Sequence, residues 1–409
     1  MITLQNVLDQ GLWVYKQKHK LPLYKLKALD SLTQCRSSVL GGHVQRCENG
    51  HVEGVWYNSC KHRMCPQCNG IQKARWLEAQ KARWLEAQKA RLLNCSHRHI
   101  IFTIPHEFHA LWRYNTALMI DVLFQTVRDT LMTLCADTQH LGAEPAFLCA
   151  LHTWGRSLSL HPHIHCLITE GGITTQGGWK TPKRACFLPA RVVMHLFRGK
   201  FLAALRQAQS QGTLTLPPSM RLNQWHSLLN KLGRKKWNVN VREQYPHGHG
   251  VATYLARYMR GGPLNNRQLR HLNSKQVSFR YYAHQDNPEG QKKHATDLTL
   301  SLEDFITRYL THVPPKGKAM FRAYGAYSNG KRSQLNALRE HFQQAPVATP
   351  KFMTWETYYE QLNGKAPPIC CSQCGAPLKA PFKVEPERLS AWKPPNVKPE
   401  YQHFVIRNH

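Results

Sequence analysis

The residues best suited to chemistry are those of the run His161-Pro162-His163-Ile164-His165-Cys166. In an extended chain the side chains alternate faces, so His163 and His165 project together while Ile164 points into a core. Two imidazoles held that way on a rigid element suit a divalent metal. His161 follows the same alternation, but Pro162 is expected to bend the approach, which leaves His161 as ligand, base or supporting partner. Some 90 residues on, Tyr254 and Tyr258 lie four apart in Val251-Ala252-Thr253-Tyr254-Leu255-Ala256-Arg257-Tyr258-Met259-Arg260, ahead of Gly261-Gly262. On a helix ended by those glycines the two phenols share a face, about 6 Å apart along the axis. Core packing is the usual reason for such a pair. The histidine strand tips the balance to tyrosine nucleophiles, with Arg257 and Arg260 placed to hold phosphates of DNA. His247-Gly248-His249 copies the histidine pattern between Pro246 and Gly250, where a loop rather than a strand is expected.

Cysteines form the second group. Cys65 and Cys68, with Pro66 between them, have knuckle spacing, because two thiolates so placed can grip one Zn²⁺ tetrahedrally. Cys47 with His51 makes an opposing pair, and Cys60 is a substitute ligand. A redox Cys-x-x-Cys would not need the extra thiol and imidazole groups nearby. One structural zinc drawn from Cys47, His51, Cys60, Cys65 and Cys68 is therefore expected. Cys370, Cys371 and Cys374 make half of another site, with no second pair within ordinary spacing.

The chain that must carry these groups has 409 residues, 55 Lys+Arg against 24 Asp+Glu, and a formal net charge of +31. That excess points to a polyanion as partner, and nucleic acid is the commonest. The cations spread along the chain and flank no hydrophobic anchor, which disfavours a membrane surface. No apolar stretch approaches the ~20 residues of a span, and no signal peptide is recognisable, so a cytoplasmic protein is expected. Its thirteen cysteines are then ligands or buried thiols rather than disulfides.

Residues 1–34 have helical apolar spacing, and a cysteine-rich segment runs over 35–68. The eight residues 72–79 recur identically at 80–87, which predicts one helical spacer over 70–93 that a local duplication has lengthened. Strands are predicted at 99–104, 146–154, 163–169, 236–241 and 276–282. Helices are predicted at about 107–140, 189–210, 219–233, 250–260 and 301–312. Strands and helices without a βαβ rhythm predict an α+β fold with a largely antiparallel sheet of about five strands flanked by helices. The expected division is an N-terminal helical and zinc-binding domain (1–70), a spacer (71–95), a catalytic domain (96–315) and a basic, Pro-rich C-terminal region (316–409), loosely ordered from about 345.

At these residues the chain resembles bacterial rolling-circle transposases of the insertion sequence ninety-one type, within the His-hydrophobe-His superfamily of single-strand endonucleases. The likeness rests on Cys47 with Gly50-His51, on residues 57–68, on His161 to Cys166, on Tyr254 to Tyr258 and on residues 305–317. Asn49 stands where many relatives have a further Cys, and the repeated eight-residue unit looks like an insertion relative to the family. The resemblance implies a nickase and strand transferase acting on single-stranded DNA ends, with Mg²⁺ or Mn²⁺ at His163 and His165. It also implies 5′-phosphotyrosine intermediates on Tyr254 and Tyr258. A third metal ligand, a carboxylate, Gln or another His, should exist, with Glu243 and Gln244 as candidates. A rolling-circle replication initiator or a relaxase would share this chemistry. A zinc-dependent DNA-binding regulator would share only the charge and the cysteines. Oligomeric state is left open.

Overall fold

The computed structural model describes residues 2–69, 92–183, 188–245, 262–284, 293–347 and 370–386, with 357, 360 and 364. Two helices open the chain, α1 (Leu4–Lys18) and α2 (Leu23–Thr33). Thr3 caps α1 by accepting from the Asn6 amide, and Leu4, Val7, Leu8, Leu12 and Tyr15 form its buried stripe. A hairpin follows, β1 (Gly42–Arg46) and β2 (Val52–Tyr57), then the one-turn helix α3 (Pro66–Asn69). The predicted spacer helix at 70–93 lies almost wholly outside the described residues.

The middle of the chain is laid out as β3 (His97–Thr103), α4 (His109–Tyr114), α5 (Thr116–Ala136), β4 (Glu144–Trp154), β5 (Leu160–Ile173), β6 (Trp179–Lys180), α6 (Ala190–Ser210), α7 (Leu222–Arg234) and β7 (Asn238–Tyr245). The single helix expected over 107–140 is interrupted at Asn115. There the side chain donates to the carbonyls of Leu111 and Thr215 and accepts from the Thr215 amide, trading helix continuity for docking of a distant loop. Then come β8 (Leu269–Leu272), β9 (Gln276–His284), β10 (Lys293–Ser301), α8 (Leu302–Thr311), β11 (Phe321–Tyr324), α9 (Arg332–His341) and β12 (Phe382–Val384).

The fold is α+β. Its central sheet has the order β11-β4-β5-β3-β7, with β6 added on β5, and every pairing is antiparallel. Four of the five expected strands lie in it. The fifth, at 276–282, instead forms β9 of a separate three-stranded sheet, β10-β9-β8. Its expected place is taken by β11, which the basic, loop-rich composition after Pro314-Pro315 concealed. One face of the central sheet buries Ile100, Phe102, Phe147, Cys149, Leu151, Ile164, Cys166 and Ile168 against α4 to α7. Fully buried aromatic and aliphatic side chains contribute about 1.5–3 kcal/mol each, so this layer dominates the domain's stability.

A second core joins the N-terminal helices to β8–β10 and α8. Gly11 permits the close crossing of α1 and α8, because a Cβ there would meet Ile306 Cδ1 at 2.9 Å. A third, smaller sheet of order β12-β1-β2 brings a strand from the C-terminal region onto the first hairpin.

Candidate metal centre and cysteine clusters

Strand β5 carries the histidines on the sheet face opposite the main core. Register places His163 opposite Thr103 of β3 and His152 of β4, and His165 opposite Ile101 and Ala150. Pro162 does not bend the strand, which begins at Leu160. Its carbonyl accepts from the Ile104 amide at 3.5 Å, on the side where β3 has already ended, so the missing N–H breaks no ladder bond.

His152, His163 and His165 gather here, with one ring nitrogen of each within 4.8 Å of the others. His163 Nδ1 donates to the His161 carbonyl at 2.7 Å, which fixes its tautomer and leaves Nε2 for a ligand. His165 Nδ1 lies 3.1 Å from His99 Nε2, which aims its own Nε2 in the same way. Burial keeps these rings neutral: His163 is pushed down to about 3 and His99 to about 4, and His165 also falls. The nearby Arg242 guanidinium lowers His99 and His165 further. Neutral imidazoles are metal-competent, so the donor set fits a divalent ion. Trp154 stacks on His152 at 4.7 Å and meets His312 edge-on at 6.1 Å. His312 in turn bonds Thr153 Oγ1 and the Leu158 carbonyl, both at 3.1 Å, and so ties α8 to the end of β4 beside the cluster.

The imidazole gathered with His163 and His165 is His152 of β4. Gln244 donates to the Glu170 carboxylate, which also pairs with Arg98, and these alternate onto the opposite face from His99 and His165. The Glu243 side chain, His247, His249, Tyr254, Arg257, Tyr258 and Arg260 lie outside the described residues. His161 contributes its carbonyl to the site and its ring is exposed. His152 and His99 both sat in predicted strands. Pairing of those strands with 163–169 was the missing signal.

The cysteines divide differently from the single expected set. Cys60, Cys65 and Cys68 are joined by Cys35, with Cys35 and Cys60 sulfurs 3.5 and 3.6 Å from Cys68 Sγ. The Cys60 amide donates to Cys35 Sγ and the His62 amide to Cys60 Sγ, both at 3.4 Å. Tyr309 of α8 donates to the Met64 carbonyl, which locks the loop to the second core. Cys47 and His51 instead lie with Cys371 and Cys374. Cys35 opened the cysteine-rich segment, but its distance in sequence from the knuckle hid its partnership.

Residues 7–104 match the family model described as "Transposase zinc-binding domain", and residues 146–334 match one described as "Putative transposase". "Putative transposase y4qJ" of Sinorhizobium fredii is 32% identical over 362 residues, covering 86% of this chain and 88% of the relative. The chain belongs to the IS91-type family of transposases. The "Transposase for insertion sequence element IS801" of Pseudomonas savastanoi pv. phaseolicola is 30% identical over 361 residues, covering 86% of this chain and 82% of that one. A solved conjugative relaxase TrwC in complex with oriT DNA overlaps 39% of this chain and 70% of its own at TM-score 0.21 and 13% identity, too distant a likeness to carry weight. Among the described residues no helix is long and apolar enough to cross a membrane.

Proposed function

We propose that this IS91-type transposase nicks and rejoins single-stranded DNA, with a divalent ion at His152, His163 and His165 and with Tyr254 and Tyr258 as nucleophiles. The observation that carries the reading is the cluster of three imidazoles on the sheet face opposite the main core. Mg²⁺ or Mn²⁺ bound there would polarise the scissile phosphate and offset charge in the transition state. His99 and the His161 carbonyl orient the imidazoles, and Arg242 adds fixed positive charge beside them. A tyrosine oxygen forms the new bond to phosphorus as the bond to the 3′ oxygen breaks. The phenol loses its proton and the departing oxygen gains one, leaving a 5′-phosphotyrosine and a free 3′-hydroxyl. Because a phosphodiester is exchanged for another, rejoining needs no ATP. The second tyrosine allows another cut while the first still holds DNA.

A nicking assay on single-stranded oligonucleotides, with and without added Mg²⁺ or Mn²⁺, tests this. Cutting that needs the ion supports it, and binding without cutting under all conditions would replace it with a zinc-dependent regulator. With a net charge of +31, DNA affinity is expected to fall steeply with salt. A change of about tenfold or more in Kd between 50 and 200 mM salt is the outcome anticipated by titration with labelled oligonucleotide.

The cluster of Cys35, Cys60, Cys65 and Cys68 is proposed as the structural zinc site of the N-terminal region. Cys65→Ser with Cys68→Ser is expected to release about one zinc per chain and to loosen residues 40–70 far more than the central sheet. Hydrogen exchange with elemental analysis checks this, and unchanged zinc in the double variant would refute the assignment.

A further inference from the structure

We propose a second zinc site, Cys₃His, built from Cys47, His51, Cys371 and Cys374, which clasps the C-terminal strand β12 onto the first hairpin. The four ligand atoms lie within 4.8 Å of one another. Cys47 Sγ is 3.6 Å from His51 Nδ1 and 3.8 Å from Cys374 Sγ, and Cys371 Sγ is 4.0 Å from His51 Nδ1. Tetrahedral Zn²⁺ with bonds of about 2.3 Å to sulfur and about 2.05 Å to nitrogen sets ligand separations of about 3.8 Å (S···S) and about 3.6 Å (S···N). Those spacings fit a shared ion and are far too long for a disulfide, at about 2.05 Å.

The backbone supplies an independent argument. Cys371 and Cys374 form a knuckle turned by Gly375, whose φ of 70° favours glycine. The Gly375 amide donates to the Cys371 carbonyl at 2.9 Å, and the Cys371 amide to the Ala376 carbonyl at 2.8 Å. Amides of Gln373 and Cys374 point at Cys371 Sγ, and the Ala376 amide at Cys374 Sγ, which is how a peptide loop stabilises metal-bound thiolates. The knuckle is then carried to the hairpin by main-chain pairing. Cys47 bridges to Leu378, the Glu48 amide donates to the Pro377 carbonyl at 3.2 Å, and the Lys379 amide donates to the Arg46 carbonyl at 2.8 Å. From there β12 pairs with β1 over Gly42 to Val44. Glu53 on β2 receives both the amide and the hydroxyl of Ser372.

What holds this layer together without a metal is slight. Its core is Val44, Val55, Tyr57 and Val384, with Val52 packed against them. Four buried residues cannot offset the conformational entropy of ordering a three-stranded sheet and a knuckle. Cys371 and Cys374 fall beyond the residues that match either family model, whereas Cys47 and His51 lie within the zinc-binding match. It also explains why the C-terminal cysteines had only half a site in sequence.

Native mass spectrometry of the full chain, purified without chelator, is expected to find two zinc ions per molecule. Cys371→Ser with Cys374→Ser should leave one, and limited proteolysis should then remove the C-terminal segment at least about tenfold faster while the central sheet persists. Cys370→Ser is the control. Cys370 is exposed and lies outside the cluster, so that variant should retain two zinc ions. One zinc in the wild-type chain, two in the double variant, or one in the Cys370 variant would each overturn the proposal. Because the wild-type count needs no variant, the test stands even where a substitution impairs folding.

Discussion

His163→Ala and His165→Ala proteins are expected to fold, to bind single-stranded DNA within about threefold of the wild type, and to lose nicking by about 10²–10³-fold or more. The two rings stand on the sheet face away from the main core, so their removal leaves the packing of Ile164 and Cys166 intact. On the proposed mechanism, affinity is expected to come mainly from Lys and Arg contacts to phosphate, whereas cutting would depend on charge offset at one phosphorus. His152→Ala should behave alike, although Trp154 stacks on that ring and its loss will cost some stability as well. The comparison is between kcat for oligonucleotide cleavage and Kd for the same oligonucleotide. Parallel loss of both in a well-folded variant would argue against a metal role. Gln244→Ala is the contrasting case. It should spare nicking at saturating metal, since Gln244 bonds Glu170 on the other face.

The second large effect concerns the tyrosines. Tyr254→Phe together with Tyr258→Phe should yield no covalent protein–DNA adduct on denaturing gels, while folding is retained because phenylalanine keeps the ring and removes only the hydroxyl. Each single variant should still form one adduct but fail to complete transposition, because the second transfer needs a fresh phenol near the same ion. A single variant that transposes like the wild type would make its tyrosine a packing residue. An adduct that survives in the double variant would place the nucleophile elsewhere.

Local sequence was enough for the elements that signal themselves. The alternation around Ile164 set a strand with two histidines on one face, and the helical spacing of Leu8, Leu12 and Tyr15 set α1. The interleaving of strands and helices set the α+β class, and composition set the basic character. Strands β1, β2, β6, β8 and β10 to β12 escaped, being short or polar and held by pairing rather than by a pattern of their own.

What pairs with what was decided only by the tertiary structure. His152 lies eleven positions before His163 and reaches it through the β4–β5 register, which no spacing rule within one strand encodes. The cysteines make the same point over a longer range. Spacing nominated Cys47 and His51 as partners of Cys65 and Cys68, since ligands close in sequence are cheapest to bring together. The folded chain instead gives that knuckle Cys35 and Cys60, and sends Cys47 and His51 to a turn more than 300 residues away. A motif therefore determined which groups could bind a metal. The sheet pairings and cores, which position backbones irrespective of sequence distance, determined which of them meet.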